Sequence, residues 1–284
     1  MMKCLNLGCG KRYLTDWTNI DFYSDDASVI AHDLSKGLPF EENSFDFVYN
    51  SHLLEHFTKY EAENFLKECR RVLKHNGVLR VVVPDLELMA TRYLEALQKA
   101  KKGMQGWDAN YEWTVLHMFD QMVRKDSGGE MLEYIGKGEI PNEDFVVQMW
   151  GGEARQLIAL LRDNLHGTGR DDERREGPSL SMFYQQLTSL RKKIREKLIK
   201  TLLGSDSYFA LQLGRFRLSG EIHQWMYDQY STTKLLIRCG FMQVITRRFD
   251  ESYLPEWSKY MLDRESDGSQ YRPDSLYMEA IKVD

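Results

Sequence analysis

Gly8 and Gly10, one residue apart, are the positions where this chain could bring a ligand against bare backbone. They follow residues 2–7, a short and mostly apolar run that reads as a buried strand. A strand ending in such a turn admits a ligand to van der Waals distance, because no Cβ stands in the way. A second group could move protons or hold a metal. His52, Glu55 and His56 stand at i, i+3 and i+4, a spacing that lets them share one helical face. The string H-x-x-E-H is also a zinc-protease signature, but that motif belongs on a long helix with a further acidic ligand downstream. Here it follows a strand directly, so no metal is expected and His56 is kept as a catalytic candidate. His223 is a candidate general base, since its unperturbed pKa lies near neutrality. Asp85 closes a later strand, where a carboxylate would meet substrate at the carboxyl end of a parallel sheet. Trp225, Tyr227 and Asp228 could line the same pocket, with Asp120, Gln121 and Arg124 as weaker candidates; Cys9 reads as a small packing residue.

The elements that must position these residues follow from periodicity. Strands are expected at 18–22, 28–31, 44–50 and 78–83, the last a Val/Leu run typical of the buried middle of a parallel sheet. Helices fit 59–74, closed by His75-Asn76-Gly77, and 86–101. Strands alternating with helices predict a doubly wound, Rossmann-like α/β sheet of seven mostly parallel strands. From 103 to 219 strand signals vanish and helices take over, at 111–124, 153–164 and 181–203, around a charged loop at 167–177. This block reads as a mostly helical insertion, between a first core part (1–102) and a second (220–284). The second part is expected to hold a helix at 222–239 and strands at 242–249 and 275–282. Within the insertion, 191–200 is basic and amphipathic, with Leu187, Leu190, Ile194 and Leu198 on one face. Such a helix either packs on its own domain or meets a membrane surface or acidic partner.

Bulk properties narrow the function classes. The 284 residues carry a net charge of −5, with 42% hydrophobic and 29% charged residues, an ordinary globular composition that disfavours non-specific nucleic-acid binding. No apolar run is long enough to span a bilayer and no signal-peptide pattern opens the chain. Cys4, Cys9, Cys69 and Cys239 lack CxxC spacing. A reducing cytoplasm is therefore the expected location.

Taken together, these stretches resemble the class I S-adenosylmethionine-dependent methyltransferases, in particular the small-molecule branch with a type-11 methyltransferase domain. The resemblance covers about 1–100 and 220–284. The family's glycine loop is matched by Leu7-Gly8-Cys9-Gly10, its ribose-binding acid by Asp21, and the Asp-Leu pair around the adenine by Asp33 and Leu34. The segment after strand four is matched by Asn50, Ser51 and His52, and the helix end before strand five by Arg71 to Leu79. Some quinone-pathway relatives place a metal on a similar Glu-x-x-Glu-His segment, where His52 replaces the first Glu. One departure stands out: Gly8 and Asp21 are closer than the roughly 20 residues usual between glycine loop and ribose acid. The first crossover helix must shrink to about one turn, as in bacterial methyltransferases of surface-polysaccharide and other glycan pathways.

The resemblance implies S-adenosyl-L-methionine as cofactor and methyl transfer to an oxygen of a small-molecule or saccharide acceptor. A carboxylate such as Asp21 would accept two charge-assisted hydrogen bonds from the ribose diol. Tyr13 at the third glycine position of a dinucleotide fingerprint argues against NAD. No Asp/Asn-Pro-Pro-Tyr/Phe segment follows strand four to receive a flipped base. A non-catalytic scaffold of the same fold, in a polysaccharide or lipid-linked pathway with peripheral membrane contact, is the alternative.

Overall fold

Alternating apolar runs and amphipathic segments fold into one seven-stranded sheet in this computed structural model. It describes residues 2–165 and 180–283, the side chains of 164, 165, 180–190 and 192 excepted; the charged loop expected at 167–177 lies outside the described residues. The strands are β1 (Cys4–Leu7), β2 (Thr18–Asp21), β3 (Val29–Ala31), β4 (Phe45–Ser51), β5 (Leu73–Pro84), β6 (Phe241–Arg247) and β7 (Ser275–Lys282). Their spatial order is β3-β2-β1-β4-β5-β7-β6. β1 to β5 run parallel, and β7 lies antiparallel between β5 and β6. The order reverses between β1 and β4, the place where open α/β sheets bind ligands.

Helix α1 (Lys59–Val72) opens with a Thr58–Glu61 capping box, and α2 (Leu86–Lys101) opens on Asp85. The helical block holds α3 (Trp107–Val123), α4 (Gly129–Ile135), α5 (Glu143–Trp150), α6 (Gly152–Leu165) and α7 (Leu180–Arg217). It has a core of its own, built on Trp113, Met131, Tyr134, Val146, Trp150 and Ile158. The expected helix at 181–203 runs on to Arg217 but breaks at Gly204, whose φ of 76° no helix contains. Among the described residues no helix is long and apolar enough to cross a membrane.

The helix expected at 222–239 starts only at Gln229, as α8 (Gln229–Arg238), with Asp228 capping it through the amide of Ser231. The physical reason lies in the backbone donors of the preceding strip. Gln224 N donates to Glu55 O at 2.7 Å and His223 N to Gln121 O at 3.1 Å. Those N–H groups find partners across the molecule, so an intrahelical ladder gains nothing there. Tyr227 bridges Asp85 and accepts from Leu86 N at 2.8 Å, so the strip extends along the end of β5.

The two sheet faces are covered differently. On one, Leu5, Leu7, Val48 and Val81 meet α1 and α8 through Leu66, Cys69, Leu235 and Leu236. On the other, no helix follows β1: the single turn of crossover helix expected from the short Gly8–Asp21 spacing does not form. Trp17 and the C-terminal segment with Leu254, Trp257 and Leu262 fill that space against Phe47, Tyr49 and Tyr277. Arg80, fully buried, holds the segment down by bonding Asp263 and Glu279 at 2.8 and 3.1 Å and the carbonyls of Arg248 and Glu251.

Candidate functional site

A cavity of about 540 Å³ opens at the carboxyl ends of β1 and β4, within the roughly 300–1,000 Å³ range of small-molecule sites. Its floor is Gly8, Cys9 and Gly10. Strand alternation turns Tyr49 and Ser51 toward it. The opposite wall comes from Leu262, Tyr271 and Arg272, with Glu153 and Gln156 of α6.

The glycine loop is tied down by its own amides. Gly8 N and Cys9 N both donate to Ile20 O, at 2.9 and 3.2 Å, and Gly10 N donates to Asp21 Oδ2 at 2.7 Å. The loop therefore offers a ligand proximity and carbonyls, not free donors, because the short return to β2 places acceptors against it. Gly8 and Gly10 have φ of 65° and 50°, the left-handed region that glycine occupies without strain. A Cβ on Gly8 would stand 3.0 Å from Leu53 Cδ1, whereas one on Gly10 would meet no protein atom within 4 Å. Gly10 thus faces the open cavity. Cys9 is buried, and burial, with the charge of Asp21, pushes its thiol up to about 12, which suits a packing role.

The structure distributes the remaining expected residues around this floor. Ser51 and His52 line the cavity. Leu7 is fully buried in the core below it. Asn50 is buried too, with neither side-chain atom hydrogen bonded. Asp21 is bound to the loop rather than among the lining residues. Asp33 caps the turn Leu34–Lys36, accepting from Ser35 N and Oγ and pairing with exposed Lys36 at 3.2 Å; Leu34 packs in the core. Asp85, expected to be catalytic, accepts from Glu87 N and Leu88 N as the cap of α2.

His52 links the cavity to a second cluster. Its φ of 50° is the left-handed value that costs a side-chain-bearing residue of order 1–3 kcal/mol and concentrates at functional sites. Arg272 Nε, which can only donate, lies 3.3 Å from His52 Nε2, and Ser275 Oγ lies 2.7 Å from the same nitrogen. We assign Nε2 as the acceptor, so the ring proton sits on Nδ1. Nδ1 points to Glu55 Oε1 at 3.3 Å, without hydrogen-bond alignment: both Glu55 oxygens are buried and lack a partner. His56 and His223 complete the cluster, rings edge to face at 4.7 Å. Burial pushes His223 down to about 3, leaving it neutral at physiological pH. Burial drives the Glu55 carboxyl up, and the imidazoles, His52 foremost, drive it down by more, to about 2. His56 and His223 stand behind the cavity lining, not in it.

Reasoning from the sequence alone missed the C-terminal wall. Arg12 builds it, donating to the carbonyls of Met261, Leu262 and Arg264 and stacking on Tyr271 at 3.8 Å. Arg272 pairs with Glu153, closing the wall onto α6. An arginine just past a glycine loop was the available signal; its partners lie some 250 residues away.

Residues 19–81 match the family of the methyltransferase domain. That match spans β2 to β5 and omits the glycine loop. No curated protein matches the chain. Among solved structures the chain is similar to a SAM-dependent methyltransferase from Methanosarcina mazei, at 12% identity and TM-score 0.39, covering 99% of this chain and 92% of that one. It is also similar to the [4+2]-cyclase SpnF, at 21% identity and TM-score 0.24 over 28% of this chain. A protein from Pyrococcus horikoshii matches 33% of the chain at 25% identity and TM-score 0.28. The chain spans 38% of the SpnF chain and 54% of the Pyrococcus one.

Proposed function

We propose that the protein is an S-adenosylmethionine-dependent methyltransferase acting on an oxygen of a small-molecule or glycan-type acceptor. The carrying observation is the cavity at the switch point of a 3-2-1-4-5-7-6 sheet, floored by two left-handed glycines. The methyltransferase-domain match over 19–81 supports it. In this reading Leu7 to Gly10 receive the methionine part, with Ser51 and His52 flanking the sulfonium and Asn50 behind them. Asp21, already at the loop, takes the ribose. Asp33 and Leu34 lie on the adenine side, and the exposed Lys36 contact on Asp33 is the kind a ligand donor displaces at little cost. S-adenosylmethionine supplies the methyl group when bound. The chain's part is to hold sulfur and acceptor in line, since displacement depends on positioning above all. Residues 103–219 act as the acceptor cap, contributing Glu153 and Gln156 to the wall. His223, His56 and Asp85, the catalytic candidates, lie outside this lining.

A second reading, a non-catalytic scaffold, draws on α7, where Ile194, Leu198 and Leu202 are exposed beside Arg191, Lys193 and Lys197. Cofactor binding separates the two. Calorimetric titration with S-adenosylhomocysteine is expected to show one site in the wild type. Gly10→Asn, a residue that tolerates the left-handed φ and whose Cβ would meet no protein atom within 4 Å, is expected to weaken it more than tenfold while circular dichroism stays native. No heat with the wild type at high micromolar ligand overturns the enzyme reading.

A further inference from the structure

We propose that Glu55, His56 and His223 form a binding site for a divalent first-row cation of the zinc class. One ligand atom from each lies within 4.8 Å of the other two. Glu55 and His56 come from the turn Leu54–His56 after β4, and His223 from the strip before α8. The two are joined at the backbone, where Gln224 N and Trp225 N both donate to Glu55 O at 2.7 and 3.3 Å. The convergence is therefore fixed by main-chain bonds, independently of any ion.

The second observation is an orphaned charge. Glu55 is fully buried and neither carboxylate oxygen has a hydrogen-bond donor; His56 Nδ1 is buried without a partner as well. A buried carboxylate lacking donors is unfavourable by several kcal/mol unless something neutralises it. A cation among these ligand atoms, which lie within 4.8 Å of one another, does so in one step. Two imidazoles and one carboxylate suit zinc and its neighbours, and three protein ligands leave a position for solvent.

His52 completes the arrangement from outside. Its Nδ1 lies 3.3 Å from Glu55 Oε1, near enough to turn into the orienting contact that ligating carboxylates commonly receive, and its other nitrogen reaches the cavity wall. The ligand set is thus not that of H-x-x-E-H. The first histidine of that string turns to Ser275 and Arg272, and His223 takes the third place. The proposal departs from the sequence reading, which assigned no metal, and does not depend on the cofactor.

The test uses the full chain, stripped with a chelator and titrated with Co²⁺ and then Zn²⁺. One equivalent of Co²⁺ is expected to develop visible d–d absorption, which Zn²⁺ displaces, and Zn²⁺ is expected to raise the thermal midpoint. Glu55→Gln and His223→Ala should each weaken Co²⁺ binding at least tenfold, and His32→Ala should leave it unchanged. Should a variant fail to fold, Zn²⁺ protection of His56 and His223 from diethylpyrocarbonate in the wild type reads the same site. Absence of d–d absorption and of Zn²⁺ protection in the wild type overturns the proposal, as does unchanged affinity in folded Glu55→Gln and His223→Ala.

Discussion

Two carboxylate clusters are buried, one beneath the C-terminal segment and one behind the cavity, and they are finished differently. Beneath the C-terminal segment, Glu279 accepts from Arg80, Arg247 Nε at 3.1 Å, Tyr253 N at 2.8 Å and Ser252 Oγ. Asp263 accepts from Arg80 Nε at 2.8 Å and Tyr49 OH at 2.6 Å. Burial alone would lower the Arg80 guanidinium, but the two carboxylates outweigh it and hold it above its ordinary value. Every charge there is answered by protein. Behind the cavity, Glu55 is as deeply buried and has no donor on either oxygen. A saturated network fixes a fold, whereas an unsaturated one leaves a demand that a ligand can meet.

That contrast can be broken by experiment. Arg80→Met strands two buried carboxylates and is expected to destabilise by about 3–5 kcal/mol in urea denaturation. A loss below about 1 kcal/mol would show that the first cluster is not a closed network. A third carboxylate, Asp274, lies between the extremes: buried, it accepts from His117 Nε2 at 3.0 Å. Burial pushes it up, but His117 and Arg272 hold it well below the usual carboxylate range. The unfolded state then binds the extra proton near the ordinary Asp pKa of about 3.9. Stability from this pair is therefore full above that value and drains as pH falls below it. Asp274→Asn is expected to cost about 1–3 kcal/mol near neutrality and to flatten the stability profile below about pH 4; an unchanged slope would remove the pairing from the account. The smallest effect belongs to Glu55→Gln in chelator-treated protein. Removing a carboxylate to which no protein hydrogen bond is made should shift stability by less than about 1 kcal/mol. A loss as large as that of Arg80→Met would mean that Glu55 is satisfied after all.

What was legible in the sequence follows the same division between local and distant causes. The Val78–Val83 run and the amphipathic 59–74 stretch declare themselves by period, and β5 and α1 formed there. The shortened return from Gly8 to Asp21 implied a crossover helix of about one turn, and even that turn of helix is absent. It did not reveal that Trp257 and Leu262, from the other end of the chain, would fill the gap. Residues 222–228 carry a pattern that fits a helix, yet contacts to Glu55, Gln121 and Leu86 override it. Asp21 and Asp33 were placed by position, while their engagement with Gly10 and Ser35 is a tertiary result. His223 was singled out for its pKa. Its meeting with Glu55 and His56 depends on the fold bringing two distant turns together.

Hydrogen exchange with and without S-adenosylhomocysteine addresses the central claim most directly, because it reports where the ligand sits as well as whether it binds. Slowed exchange is expected over 8–12, 51–53 and 271–272, with residues 129–150 of the helical block unchanged. Protection confined to the helical block, or none at saturating ligand, would contradict the placement of the cofactor on the glycine loop.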